Sequence, residues 1–412
     1  LMYDKEIMTL KKEFLKAQNK FILTGHPDDK KTVTDKKKSY DQKLKKARQE
    51  TSAAYIEQAE NKAKAIWDTI NSERQGRKEL GNNSAIELND NGKVLTDPID
   101  VANRFNYYFV NIAEETLKQN SINNTLLIIQ NLTATTVNIL SSLHPTTTDE
   151  IGRTIQSLKN STSAGIDEIS SKILKTCADE LITPLVKIVN MSMVEGTFPS
   201  QLKIAKVFPK HKQGDPQNIS NYRPISLLSS VSKLIEKIIK IRLQEHLSQN
   251  QTLTNSQHAF VTGKSTTTAL IDLVEYTIEN IETGNTITSL YLDPSKAFDC
   301  LGHDLILAKL QNLGIQQAAL KWFTSYLKGR SQMVEIKNTK KGYTSTARSG
   351  LLPTNRGVPQ GSVLGPILFV LFINDFPEQL EEYSKMIMYA DDTVLLTANR
   401  NIEQLEVNTF IA

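Results

Sequence analysis

Apolar residues recur at helical spacing along much of the chain. In residues 51–75 they fall at Ile56, Ala59, Ala63, Ile66, Trp67 and Ile70, the stripe of an amphipathic helix. Asn82-Asn83 and Asn91-Gly92 interrupt the pattern. Asp97 followed by Pro98 reads as a cap with proline in the first turn, opening a helix whose buried face is Ala102, Phe105, Phe109 and Ile112. Residues 121–145 are rich in Asn and Thr, weakly patterned, and read as a linker. Beyond them Ile151, Ile155 and Leu158 mark one helix. Ile173, Leu174, Cys177, Leu181, Leu185, Ile188 and Val189 mark a further helical segment, punctuated by Pro184 and ended by Gly196. Two stretches follow a different rule. Residues 286–292 form a β-rich run that stops at Asp293. Residues 386–390 and 393–396 are apolar strands joined by a tight turn that carries Asp391 and Asp392.

With 412 residues the chain exceeds the usual single domain, and 39% apolar with 23% charged residues is a globular composition. The longest apolar run, around 367–372, is far too short for a bilayer, which argues against a transmembrane protein. Two cysteines, Cys177 and Cys300, make neither a disulfide framework nor a cysteine zinc site, which suits a reducing compartment, and the six histidines form no zinc pattern. The net charge of +4 is uneven: residues 1–50 hold 14 Lys/Arg against 8 Asp/Glu. Lys36-Lys37-Lys38 and Lys45-Lys46 there suggest a solvated arm, helical or partly disordered; an exposed charged face explains it better than a nucleic-acid contact does. The chain opens on Leu with no signal segment, as a fragment of a longer reading frame would.

The chemistry concentrates in the acids. An Asp-Asp pair in a turn is commonly plain turn chemistry, because Asp tolerates the backbone angles required. Asp293 changes that reading. Two strands side by side in one sheet would bring Asp293 and Asp391 into one small volume, where like charges repel unless a cation neutralises them. Hard oxygen ligands on a rigid strand end and hairpin suit magnesium. Two such ions about 4 Å apart can activate a hydroxyl and stabilise leaving pyrophosphate, the chemistry of nucleotide addition. Between the acids lies Gly357-Val358-Pro359-Gln360-Gly361-Ser362-Val363-Leu364-Gly365-Pro366, a loop running into an apolar helix at 367–373. Its glycines admit close backbone approach and Gln360 bonds both ways, which suits a nucleotide or template base as well as a simple turn. Lys210, Lys212 and Arg223 offer cations for a triphosphate in a turn-rich segment, although surface lysines more often serve solubility. Gly263-Lys264-Ser265-Thr266 ends like a P-loop, but the first glycine of that motif would fall at His258, so an ATPase reading is rejected.

In order, Asn221-Tyr222-Arg223-Pro224-Ile225-Ser226-Leu227, Leu292-Asp293-Pro294-Ser295-Lys296-Ala297-Phe298-Asp299, the glycine loop at 357–366 and Tyr389-Ala390-Asp391-Asp392 resemble a reverse transcriptase of a non-LTR (LINE-type) retrotransposon, closest to the jockey-like clade. The four motifs span roughly 198–396. Trp67, Phe105-Asn106-Tyr107-Tyr108-Phe109 and Ser163-Ala164-Gly165-Ile166-Asp167 resemble, more weakly, the linker that precedes the polymerase in these elements. The resemblance implies an α+β right-hand polymerase core, a palm with an antiparallel sheet plus fingers, preceded by a mainly helical N-terminal extension. It implies an extension over 1–147, a helical lead-in over 148–197 and a reverse transcriptase domain over 198–412, with fingers at about 198–284 and palm at about 285–412. Asp293, Asp391 and Asp392 match the catalytic, metal-binding acids, with two Mg2+ ions and Mn2+ as a substitute. Lys212, Arg223, Phe298, Gln360 and Gly361 match the nucleotide-binding residues, Lys210 being a rival for Lys212. Phe298 stands where a bulky side chain excludes a 2′-hydroxyl, though a core Phe after a strand fits equally.

The implied activity is RNA-directed DNA synthesis, adding deoxynucleoside triphosphates to a DNA primer on an RNA template. The implied setting is intracellular, in a cytoplasmic ribonucleoprotein and the nucleus. Where the family has an aromatic-arginine pair, this chain has Ala259-Phe260-Val261-Thr262-Gly263-Lys264, which removes an expected phosphate-reaching Arg. Asp299 and His303 are expected as structural support. The stretch after the hairpin is too short for the family's thumb, no endonuclease or RNase H is recognisable, and a catalytically silent nucleic-acid-binding remnant is the alternative reading.

Overall fold

Helices α1 (Lys5–Thr24) and α2 (Pro27–Gln58) turn back on one another in an antiparallel hairpin. Ion pairs Lys43–Glu6, Lys36–Glu13 and Lys20–Asp29, at 2.6–2.8 Å, run down the seam beside a stacked Phe14–Tyr40 pair. The basic arm read in the sequence is therefore a charged helical hairpin. It belongs to the first of two compact units, Leu1–Asn82; the second is Asn83–Ala412. The computed structural model describes residues 5–58, 62, 66, 86–90, 92–119, 138–340 and 343–411. Of the stripe expected over 51–75, Ile56 and Ile66 are helical, while Ala59, Ala63, Trp67 and Ile70 lie outside the described residues, as do 121–137 of the expected linker.

The second unit opens with a small hairpin, β1 (Leu88–Asp90) and β2 (Lys93–Leu95). The helix expected after Asp97 spans Pro98–Gln119, and Asp97 caps it, its Oδ1 accepting the N–H groups of Ile99 and Asp100 at 2.9 and 3.1 Å. The expected stripe of Ala102, Phe105, Phe109 and Ile112 is buried. It packs on a mixed sheet of β3 (Ile204–His211), β4 (Tyr222–Leu227), β6 (Arg330–Lys340), β7 (Tyr343–Arg348) and β8 (Leu352–Thr354). The strand order is β4-β3-β6-β7, with β8 beside β6 and β3–β6 the parallel pair. Strands from 330–354 thus share a sheet with strands from 204–227.

The other sheet is antiparallel and three-stranded, in the order β5 (Thr286–Leu292), β10 (Asp392–Asn399), β9 (Lys385–Tyr389). The β-rich run and the hairpin of apolar strands form where the sequence placed them. Between and around the sheets a helical core gathers Phe198, Trp322, Phe323 and Tyr326 with apolar faces of helices Thr148–Ser157, Ala178–Glu195, Ser230–Gln249, His303–Asn312, Gln317–Leu327 and Gly365–Phe372. The segment expected over 173–189 divides into helices Ser171–Thr176 and Ala178–Glu195, the second running through Pro184 and ending at left-handed Gly196. The class is α+β, as expected. Among the described residues no helix is long and apolar enough to cross a membrane.

Candidate active site

Strand β5 pairs with β10 along its whole length, from Thr286 opposite Asn399 to Leu292 opposite Thr393. On its other edge β10 pairs with β9, Asp392 opposite Tyr389. One step beyond the Leu292–Thr393 pair the two chains carry Asp293 and Asp392, and Asp391 occupies the turn between β9 and β10. The three acids therefore share one end of one sheet. Asp293 and Asp392 are exposed and Asp391 is half-buried. Among the described residues no lysine, arginine or histidine forms an ion pair with any of them, and no side-chain hydrogen bond engages them. No group of three His, Cys, Asp or Glu among the described residues forms a ready-made cation cage. The donor chemistry nonetheless fits a divalent cation: hard carboxylates at a strand end, in no ion pair among the described residues, and open to water and substrate oxygens as further ligands.

The glycine loop is sewn to β4 and to the segment 298–303 that follows β5. Gly357 N–H donates to Leu301 O at 2.8 Å, and Val358 N–H donates to Phe298 O at 3.3 Å. His303, buried, donates from Nε2 to Gly357 O at 2.8 Å. Further on, Ser226 N–H of β4 donates to Gln360 O at 2.9 Å. A Cβ on Gly361, whose φ is +131°, would stand 2.5 Å from Ser226 O, so only glycine fits there. The Gln360 amide donates to both carboxylate oxygens of Asp299 at 3.2 Å. Burial pushes the Asp299 carboxyl up, against the pull of Gln360 and Lys296. Asp299 and His303 are thus the loop's supports, as expected of them. A cavity of about 50 Å³ lies behind the loop, against Phe109, Ser226 and Arg330.

Lys210 and Arg223 stand directly opposite each other on β3 and β4, and Lys212 follows on the same face, its N–H donating to Asn221 O at 2.8 Å. All three are exposed; they sit on and just beyond a regular hairpin rather than in a loop. Phe298 is half-buried and stacks on Phe369 at 4.3 Å between centroids, so its ring belongs to the helical core on that side. In the segment that departs from the expected arginine, Lys264 Nζ donates to Asn255 O at 2.5 Å, and desolvation lowers its ammonium pKa.

Glu236 had no place in the sequence reading. It is fully buried on helix Ser230–Gln249 and accepts from Ser232 Oγ at 2.9 Å, Tyr326 Oη at 3.1 Å, and the N–H groups of Val363 and Leu364 at 2.7 and 3.2 Å. It anchors the far end of the glycine loop. A glutamate on a stripe with Ser232, Ile239 and Leu243 was the available signal.

Residues 208–411 match the family model of reverse transcriptase (RNA-dependent DNA polymerase). The chain is 33% identical over 265 residues to the probable RNA-directed DNA polymerase from transposon BS of Drosophila melanogaster, covering 62% of this chain and 28% of that protein. It is 31% identical over 267 residues to the RNA-directed DNA polymerase from mobile element jockey of the same fly, covering 63% and 28%. The match thus takes in less than a third of either relative's length. A solved structure of apo telomerase from Candida tropicalis aligns at 12% identity with a TM-score of 0.35, over 59% of this chain and 51% of that one.

Proposed function

From the premise that residues 208–411 are a reverse transcriptase domain of the jockey-like, non-LTR retrotransposon kind, we propose that this chain carries the polymerase core for RNA-directed DNA synthesis. The reaction joins a primer 3′-hydroxyl to the α-phosphate of a deoxynucleoside triphosphate, opposite an RNA template, with release of pyrophosphate. The observation that carries this reading is the register that sets Asp293 beside the Asp391–Asp392 turn, with none of the three in an ion pair among the described residues. Asp293, Asp391 and Asp392 would hold two Mg2+ ions, with Mn2+ as a substitute. Bound there, such ions lower the pKa of the attacking hydroxyl and offset charge on the leaving oxygens.

The remaining residues orient the substrate. Arg223 with Lys212, or Lys210 in its place, faces solvent from one side of a stiff hairpin, where a fork and a point charge can grip a triphosphate. Gln360, held by Asp299, and Gly361, held against Ser226, line the approach of nucleotide and template. Phe298 is assigned to the floor under the sugar; its stacking on Phe369 gives a ring there the rigidity to discriminate against a 2′-hydroxyl. By kinship, the working partners are an RNA template and a DNA primer, in a cytoplasmic ribonucleoprotein and in the nucleus.

Primer extension on a homopolymer RNA template with Mg2+ or Mn2+ tests the reading. Wild type is expected to incorporate deoxynucleotides, and Asp293→Ala and Asp391→Ala to lose at least about 10³-fold in rate. Equal incorporation by both variants would refute the metal assignment. An inert wild type that binds RNA with steep salt dependence would return the silent remnant.

A further inference from the structure

We propose that Gln257 is a positioning residue of the β9–β10 turn, fixing the backbone that presents Asp391; the inference rests on the catalytic reading of that turn. Residues 256–258 run alongside β9 as a short extra strand. Met388 N–H donates to Ser256 O at 2.8 Å and His258 N–H donates to Met388 O at 2.8 Å, which sets Gln257 in parallel register with Met388. From there the Gln257 side chain, fully buried, reaches to the residue before Asp391. Its Oε1 accepts the N–H of Ala390 at 3.0 Å and the N–H of Ala259 at 2.8 Å.

Ala390 needs such a hold. Its φ is +58°, a left-handed conformation that a residue with a Cβ adopts reluctantly, and a two-residue hairpin turn demands it. Both accepting positions of the Gln257 oxygen are used, while Nε2 is buried with no partner among the described residues. The side chain is therefore there for its acceptor. A carboxylate would accept equally well, but it would add a further negative charge beside an already acidic strand end. A neutral acceptor holds the turn without that repulsion. The segment is itself secured: His258 Nδ1 lies 2.9 Å from Thr268 Oγ1, and Ser265 and Thr268 form a reciprocal cap on helix Thr266–Glu282. The region where the family's arginine is missing is thus tied by its backbone to the acidic hairpin.

The test compares full-length wild type, Gln257→Met, Gln257→Glu and Asp391→Asn, by steady-state primer extension and by amide hydrogen exchange at Ala390. Methionine keeps the length and removes the acceptor. It is expected to lower kcat by about 10²-fold, as a small misplacement of a catalytic group does, with KM for the deoxynucleotide within about twofold of wild type, and to abolish protection at Ala390. Glutamate keeps the accepting oxygen and is expected to retain that protection and to recover part of the lost kcat. Wild-type kcat in Gln257→Met, a change in KM alone, equal loss in both Gln257 variants, or unchanged exchange at Ala390 would overturn the proposal. A wild type as inert as Asp391→Asn would overturn the polymerase reading and with it the catalytic consequence. Exchange at Ala390 would then still decide whether Gln257 clamps the turn, so the two failures are distinguishable.

Discussion

Gly361 makes the narrowest demand of any residue in the site. A side chain there must enter a backbone region closed to L-residues and displace Ser226 O, which would lie 2.5 Å from its Cβ. Gly361→Ala is expected to cost about 1–3 kcal/mol by urea denaturation and to lower incorporation more than about tenfold, because the strain falls on the carbonyl of β4 that faces the loop. Gly350→Ala is the control: its Cβ would meet nothing within 4 Å, and it should change neither. A Gly361→Ala chain as stable and active as the control would remove the close approach from the argument. Gly361 was legible as a loop glycine but the carbonyl it meets was not, since Ser226 is remote in sequence. The same limit applies to Gln257. A glutamine between Ser256 and His258 breaks no pattern, and only the parallel bridge to Met388 reveals its reach.

Elements were legible where burial is apolar and regular. The helix after Asp97 follows from its apolar period and cap and the acidic hairpin from its two apolar runs, whereas the strand ending at Leu292, none of whose residues is buried, follows from its β-rich composition. Strand β6 follows from no such pattern, because the positions it buries include Arg330, Gln332 and Glu335. Two of them are paired, Glu335 with Lys206 at 3.6 Å and Arg348 at 2.8 Å, and Gln332 with Asn106 at 3.1 Å, while Arg330 donates from Nη1 to Tyr326 O at 3.1 Å and its buried Nη2 has no partner among the described residues. A polar strand interior erases the hydrophobic alternation that would have announced it. Glu236 is the same lesson inside a helix. Its carboxylate holds the two backbone N–H groups that lead into helix Gly365–Phe372, while Tyr326, whose hydroxyl burial keeps protonated, donates to it. Glu236→Ala would strand two backbone N–H groups and that hydroxyl, at roughly 3 kcal/mol or more in chemical denaturation. Glu236→Gln, which keeps one accepting oxygen, is expected to lose about half as much. Equal losses from both, or less than about 1 kcal/mol from Ala, would deny Glu236 its hold on the end of the glycine loop.

Across the whole molecule, the division at Asn82 sets the helical hairpin apart and leaves helix Pro98–Gln119 with the polymerase-like sheets. The sequence drew its extension through 147, because the weakly patterned run after 121 is a compositional break. The aromatic face of the helix, by contrast, finds its partners 100 or more residues later, on β3, β4 and β6. Long-range closure also holds the lead-in helices, and there it depends on charge. Arg242, 3% exposed, clasps both oxygens of Glu150 at 2.5 Å and also donates to the carbonyls of His144 and Pro145. The Arg242 guanidinium, with Thr146, holds the Glu150 carboxyl below its ordinary value despite the penalty of burial. A carboxyl whose folded pKa is depressed contributes stability above its unfolded pKa and loses it as pH falls through the folded one. The difference in unfolding free energy between wild type and Glu150→Gln should therefore be constant near neutrality. It should begin to shrink only below the ordinary glutamate value and vanish under the depressed one. Taking the difference cancels the other carboxylates, which titrate alike in both chains. Urea denaturation of the two proteins from pH 7 to pH 3 measures it. A gap that stays the same to the acid end would mean that the clasp is held by packing alone and that its charge does not bind the lead-in to helix Ser230–Gln249.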